Sequence, residues 1–198
     1  ELLNNPSKEL SKNAKDKANS YSYENVRKQW LDAFKNMNIH DLKTRVMFTS
    51  SAGGHYSELC ELDELMKRYN SFLLTEDHEM MKEIKKTNQS RSWYMPAGTK
   101  EHLFKFLCNF PITIIRSFKA FLKVKPDVVI ATGAHTTVPI CYIAKLFGKK
   151  VIFIETFANI TTKTLSGKLV YPIADLFLVQ WEEMLELYPN AKYRGGLK

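Results

Sequence analysis

Cysteine is scarce and scattered in this chain. Cys60, Cys108 and Cys141 form no C-x-x-C pair and no Cys/His cluster with metal-ligand spacing. Three distant thiols exclude a disulfide framework and a cysteine-based metal site, and they fit a reduced, cytosolic chain. No run approaches the roughly 20 apolar residues needed to cross a bilayer. The longest candidate, 106–115, sits between Lys105 and Arg116. The opening residues do not read as a signal peptide, so a membrane partner is expected to be met from the cytoplasmic face, peripherally. No G-x-G-x-x-G occurs, which counts against a dinucleotide-dependent enzyme. Acids are also rare where the chain is most apolar. Between residues 100 and 168 only Glu101, Asp127 and Glu155 face eleven lysines and arginines, within a net charge of +8. Nucleic-acid binders place their basic runs on polar helices or arms, and no such motif is present, so nucleic acid is excluded as a partner. A membrane surface or a diphosphate is expected instead.

The residues that are present divide the chain at about 42. Residues 1–42 form a helical appendage. After a polar opening, Ser22 can cap an amphipathic helix with Tyr23, Val26, Trp30, Phe34 and Met37 on one face. From 43 to 198, short apolar strands alternate with helices. Strands are expected at 45–50, 71–75, 92–95, 127–131, 150–154 and 176–179. Helices are expected at 56–68, 78–87, 101–124 (kinked or split by Pro111), from about Pro139, and at 182–187. This order predicts an α/β fold with a doubly wound parallel sheet, whose ligands bind beyond the carboxyl ends of the strands.

Three unusual loops fall at those ends. Ser50-Ser51-Ala52-Gly53-Gly54-His55 combines glycines, able to bring amides close to an anion, with a helix start. A plain strand-to-helix turn remains the alternative. Thr132-Gly133-Ala134-His135-Thr136-Thr137 adds a second glycine and histidine, with Thr136 or Thr137 expected to cap the next helix. Glu155 directly follows VIFI, where a buried carboxylate needs a loop amide, a histidine or a sugar hydroxyl as partner. A satisfied structural carboxylate and a functional one both fit. Glu76 and Asp77 end the second strand, where a ribose-binding acid would stand. Over 103–124, Lys105, Asn109, Thr113, Arg116, Lys119 and Lys123 make a polar stripe on an otherwise apolar, phenylalanine-rich helix. Packed core and a membrane-interface helix carrying Phe106, Phe110, Arg116, Phe118 and Lys119 are the two readings.

SSAGGHYSEL, PDVVIATGAHTTVPICYIAKLFGKKVIFIET and YPNAKYRGGL closely resemble the asparagine-linked-glycosylation protein fourteen family, which includes bacterial PssD-type polysaccharide biosynthesis proteins. The resemblance covers about 43–198. It implies a Rossmann-like fold equal to the N-terminal half of a GT-B glycosyltransferase such as MurG. It also implies a separate small donor-binding subunit (thirteen, or PssE-like), a UDP-sugar donor, a lipid-diphosphate-linked acceptor and no cofactor or metal. On that basis Ser51, Gly53, Gly54, Gly133, His135 and Thr136 would surround the acceptor diphosphate. His55 would orient or deprotonate the acceptor hydroxyl, with Glu155 as the second catalytic group. Family members from eukaryotes carry a membrane helix ahead of the domain, so this chain is expected to be bacterial. YSYENVRKQWLDAF resembles the C-terminal tail helix of another GT-B enzyme and suggests a fusion. The alternative to the transferase subunit is a non-catalytic membrane adaptor that recruits and stimulates the donor-binding partner.

Overall fold

In the computed structural model, which describes residues 23–35, 37, 43–78, 91–96 and 103–197, the expected strands form at Arg45–Ser50 (β1), Asn70–Glu76 (β2), Ser92–Met95 (β3), Val128–Thr132 (β4), Lys150–Ile154 (β5) and Leu176–Val179 (β6). A seventh, Lys192–Tyr193 (β7), is too short to read from pattern. They join one sheet of order β3-β2-β1-β4-β5-β6-β7, with every neighbouring pair parallel. This is the doubly wound, Rossmann-like order. The winding direction reverses between β1 and β4, where such sheets open a ligand crevice.

Alternation along the central strands sorts side chains to the two faces. Met47, Val129, Ala131, Val151, Phe153, Phe177 and Val179 point to one core, beneath helices at Leu103–Val124, Val138–Leu146 and Leu165–Val170. Val46, Phe48, Val128, Ile130, Ile152, Ile154 and Leu178 point to the other, beneath helices at Tyr23–Lys35, Gly54–Cys60 and Asp63–Arg68. In chain order these helices are α1 (Tyr23–Lys35), α2 (Gly54–Cys60), α3 (Asp63–Arg68), α4 (Leu103–Val124), α5 (Val138–Leu146) and α6 (Leu165–Val170), and α7 is Met184–Leu187.

Three details differ from expectation. The helix expected over 56–68 is two, broken at Glu61-Leu62. α4 is not split at Pro111 but runs through it as a single element: a proline removes one N–H, and the turns on either side hold the helix. α6 was not legible beforehand, because its six residues are too few to show a period. The helix expected over 78–87 lies outside the described residues, apart from His78.

α1 is built into the second core. Val26, Trp30, Ala33 and Phe34 are buried there. The Trp30 indole N–H donates to the Gly195 carbonyl at 3.3 Å, and Val26 packs on Gly195. The Lys150 ammonium donates to the Met37 carbonyl.

Candidate functional site

The site is built where the sheet reverses. Ser50 stands in register with Thr132, and Thr132 with Ile154. The loops after β1, β4 and β5 therefore leave the three central strands side by side. The Gly133 amide donates to the Ile154 carbonyl at 2.9 Å, and the Thr132 hydroxyl donates to the His55 carbonyl at 2.9 Å.

These bonds set His55 against Gly133. A Cβ on Gly133 would lie 2.3 Å from His55 Cε1 and 2.4 Å from Nδ1, and Gly133 has a φ of +39°. Only glycine meets both demands. Gly53, at φ +80°, turns the chain into α2. Ser51 is buried beside it and donates to the Ala52 carbonyl. Glu76 does not wait for a ribose. Its carboxylate accepts the Ala52 amide at 3.3 Å and braces the glycine loop from β2. One amide of the loop is thereby occupied.

His135 opens a short 3-10 turn, His135–Thr137, ahead of α5. It is partly buried, while Thr136 and Thr137 are buried. The expected cap is absent: the Thr137 hydroxyl donates backwards, to the Gly133 and Ala134 carbonyls at 2.8 and 2.9 Å, and so tightens the loop that holds His55.

Glu155 is 1% exposed, and its carboxylate is fully engaged. It accepts the Thr156 amide at 3.1 Å, the Thr164 hydroxyl at 2.8 Å and the Tyr188 hydroxyl at 2.8 Å. A Cβ on Gly167 would come within 1.9 Å of it, so α6 approaches this close only through a glycine. Burial pushes the Tyr188 phenol well up, and the adjacent carboxylate adds to the rise, so Tyr188 stays a donor. Gln180 closes the arrangement, donating to the Glu155 carbonyl and accepting the Leu197 amide.

The carboxylate beside the imidazole is Glu58. It is 2% exposed, on α2, one helical turn after His55. Oε1 accepts the Thr156 hydroxyl at 3.2 Å and the Phe157 amide at 3.1 Å, while Oε2 lies 3.7 Å from His55 Nδ1. Sequence reading passed over it, although the H-x-x-E spacing puts both on one helix face. Thr164, Gly167, Gln180 and Tyr188 carried no signal of their own, being hydrogen-bond partners brought in by the fold.

α4 presents its apolar side outward. Thr113 and Ser117, expected on or near a polar stripe, are buried, and the Ser117 hydroxyl donates to the Met95 sulfur. Ile112, Ile114, Ile115, Phe118 and Leu122 are 40–54% exposed. The Arg116 guanidinium donates to the Tyr94 carbonyl at 3.0 Å, fixing the helix to β3, and Lys119 is exposed. Phe110 is half-buried, and the Phe106 side chain lies outside the described residues. The face continues across α5 and α6. Phe147 packs on Phe118 and Phe121, the Tyr142 hydroxyl meets the Leu169 carbonyl, and Leu146 and Leu165 are 83% and 67% exposed. Among the described residues no helix is long and apolar enough to cross a membrane.

Known proteins share this fold. The chain is 16% identical to Acinetobacter baumannii MurG, covering 69% of this chain and 41% of that one at a TM-score of 0.52. It is 14% identical to a Methanocaldococcus jannaschii UDP-GlcNAc 2-epimerase solved with UDP-GlcNAc and UDP, covering 77% and 47% at a TM-score of 0.59. The chain thus spans less than half of either solved protein, and the likeness is one of fold. The sequence is 30% identical to the rat UDP-N-acetylglucosamine transferase subunit ALG14, over 77% of this chain and 82% of that one. It is 40% identical to the human protein of the same description over 41% and 40%. The family profile described as "Oligosaccharide biosynthesis protein Alg14 like" matches residues 45–197, which takes in all three loops and the C-terminal segment, and the chain belongs to that family.

Proposed function

We propose that this chain is the acceptor-binding subunit of a glycosyltransferase, working with a separate small donor-binding subunit. The observation that carries the reading is His55, held by Gly133 at the β1/β4 crevice of an Alg14-family chain. The relatives' description as subunits of a UDP-N-acetylglucosamine transferase supports a UDP-sugar donor and a partner that holds it.

In this reading the acceptor's lipid-linked diphosphate lies against the loop of Ser51, Gly53 and Gly54, with Gly133, His135 and Thr136 on its other side. The acceptor hydroxyl oxygen bonds to the anomeric carbon of the sugar. The anomeric carbon–oxygen bond to the nucleoside diphosphate breaks, and the diphosphate leaves with the electron pair. The hydroxyl proton passes to His55, a side chain suited to proton transfer near neutral pH. Glu155 is assigned a positioning role: with its carboxylate engaged inside the protein, it fixes the 155–158 loop that lines the crevice. The outward apolar face of α4, α5 and α6 seats the subunit peripherally on the cytoplasmic face of a membrane, next to its lipid-linked substrate. Exposed isoleucine, leucine and phenylalanine beside Lys119 and Lys123 support that seat.

The test is transfer of labelled sugar from UDP-sugars to membrane lipid extract, by this chain alone and together with a small donor-binding subunit. Activity only in the mixture, abolished by His55→Ala with the complex intact, is the expected result. Full activity of the His55→Ala mixture overturns the catalytic assignment and leaves an adaptor that recruits and stimulates its partner. Transfer by this chain alone overturns the two-subunit reading.

A further inference from the structure

In the transferase reading His55 acts as a base, and an imidazole does so well only if one nitrogen is held as N–H and the other is left free. Three observations bear on which nitrogen is held. Nδ1 of His55 is buried, with no hydrogen-bond partner, so the 28% of the side chain that is exposed lies on its other atoms. Oε2 of Glu58 is likewise buried without a hydrogen bond, and it stands 3.7 Å from that Nδ1. Oε1 of Glu58 is tied down by the Thr156 hydroxyl and the Phe157 amide, which leaves Oε2 directed at the ring. A buried carboxylate oxygen and a buried ring nitrogen, each lacking any other partner, satisfy one another when they close by less than an ångström. Such bonds in ligand-free sites are commonly long and tighten on substrate binding.

We infer that Glu58 is the positioning residue for the His55 base. Its Oε2 accepts Nδ1–H, which fixes the tautomer with Nε2 free to take the acceptor hydroxyl proton, and its negative charge stabilises the imidazolium that results. The same carboxylate grips the loop after Glu155, so the loops after β1 and β5 are locked to one another through the group that orients the base. This rests on His55 being the base. The arrangement has the logic of the acid in a catalytic triad, with the acid, not the base, buried.

Glu58→Gln separates orientation from mere bracing. Its carboxamide oxygen can still accept from Thr156 and Phe157, while its NH2 faces Nδ1 as a donor and forces the opposite tautomer. In the mixture with the donor-binding subunit, kcat is expected to fall about 10²-fold or more with little change in acceptor KM. The acid limb of the pH–rate profile should move to lower pH, and Glu58→Asp should recover part of the rate. Ring 15N shifts of the chain alone should report Nδ1–H in the wild type and Nε2–H in Glu58→Gln, with His55→Gln identifying the signal. Wild-type kcat and an unchanged tautomer in a folded Glu58→Gln, beside an inactive His55→Ala, overturn the inference while sparing the base. An active His55→Ala overturns both.

Discussion

The ring of His55 occupies the space that any side chain on Gly133 would need, with a Cβ there only 2.3 Å from Cε1. Gly133→Ala therefore has to displace the imidazole as well as strain a backbone at φ +39°. Transfer activity is expected to drop by at least about 10²-fold, with a stability loss of about 1–3 kcal/mol from the strain. Parallel assays of transfer and urea unfolding check this. Near wild-type activity would show that the His55–Gly133 contact does not matter to the reaction.

Gly167 plays the corresponding part for Glu155. A methyl group would lie 1.9 Å from the carboxylate and 2.4 Å from the Tyr188 hydroxyl. Gly167→Ala is expected to break this buried network and destabilise the fold by about 3 kcal/mol. Tyr188→Phe, which removes one hydrogen bond from the carboxylate, should cost about 1–2 kcal/mol. Denaturant melts of both variants, compared with the wild type, measure the two losses.

α1 closes one core, so it should matter to folding. Phe34→Ala empties a fully buried site and is expected to cost about 3–5 kcal/mol. A chain beginning at residue 43 should melt at a lower temperature than the full chain, because Val26, Trp30 and Phe34 no longer cover their side of the sheet. Equal melting temperatures would mean that α1 adds nothing to stability.

Leu146 and Leu165 stand out on the apolar face because so little of either is buried. Leu146→Glu and Leu165→Glu should leave stability within about 0.5 kcal/mol of wild type. Both should lower sedimentation with vesicles of anionic lipid, and raised salt should lower it further by screening Lys119 and Lys123. Unchanged sedimentation of the double variant would place the membrane contact elsewhere.

Asp127 links β1 to β4 at the far end of the sheet. Burial pushes its carboxyl up, but the Arg45 amide, the Lys149 ammonium and the Arg45 guanidinium outweigh it and hold the group below its ordinary range. A lowered folded value means that its contribution is complete above the unfolded value near about 4 and is lost as pH falls through the folded one. Asp127→Asn should therefore flatten the acid side of the stability–pH curve and leave the alkaline side unaltered. The carboxylate is partly exposed, so the effect should shrink in salt.

Much of the site was legible because it lies at strand ends that pattern alone can find. Buried runs such as VVIA and VIFI locate β4 and β5, and the glycine–histidine loops follow them at once. What pattern could not give was partnership. Glu155 reads as an acid in need of a partner after a buried strand, but the pattern does not say which one: Thr164, Gly167 and Tyr188 reach it from 9 to 33 residues away. Glu58 reads as one more polar residue on a short helix until the loop after β5 is brought over it. The α4 stripe suggested which residues are apolar but not which way they face. That was decided by packing against β3, which buries Ser117 beneath Met95, takes the Arg116 guanidinium on the Tyr94 carbonyl, and leaves Ile115, Phe118 and Leu122 outward.

The sequence by itself determined the doubly wound parallel sheet, the family and the three loops, because burial periodicity and local turn chemistry are properties of neighbouring residues. Only the tertiary structure decided that Glu58 rather than Glu155 meets His55, that α1 is core, and that the apolar face spans three helices. Each of these depends on contacts between residues far apart in the chain, set by strand order and register, and no local pattern encodes them.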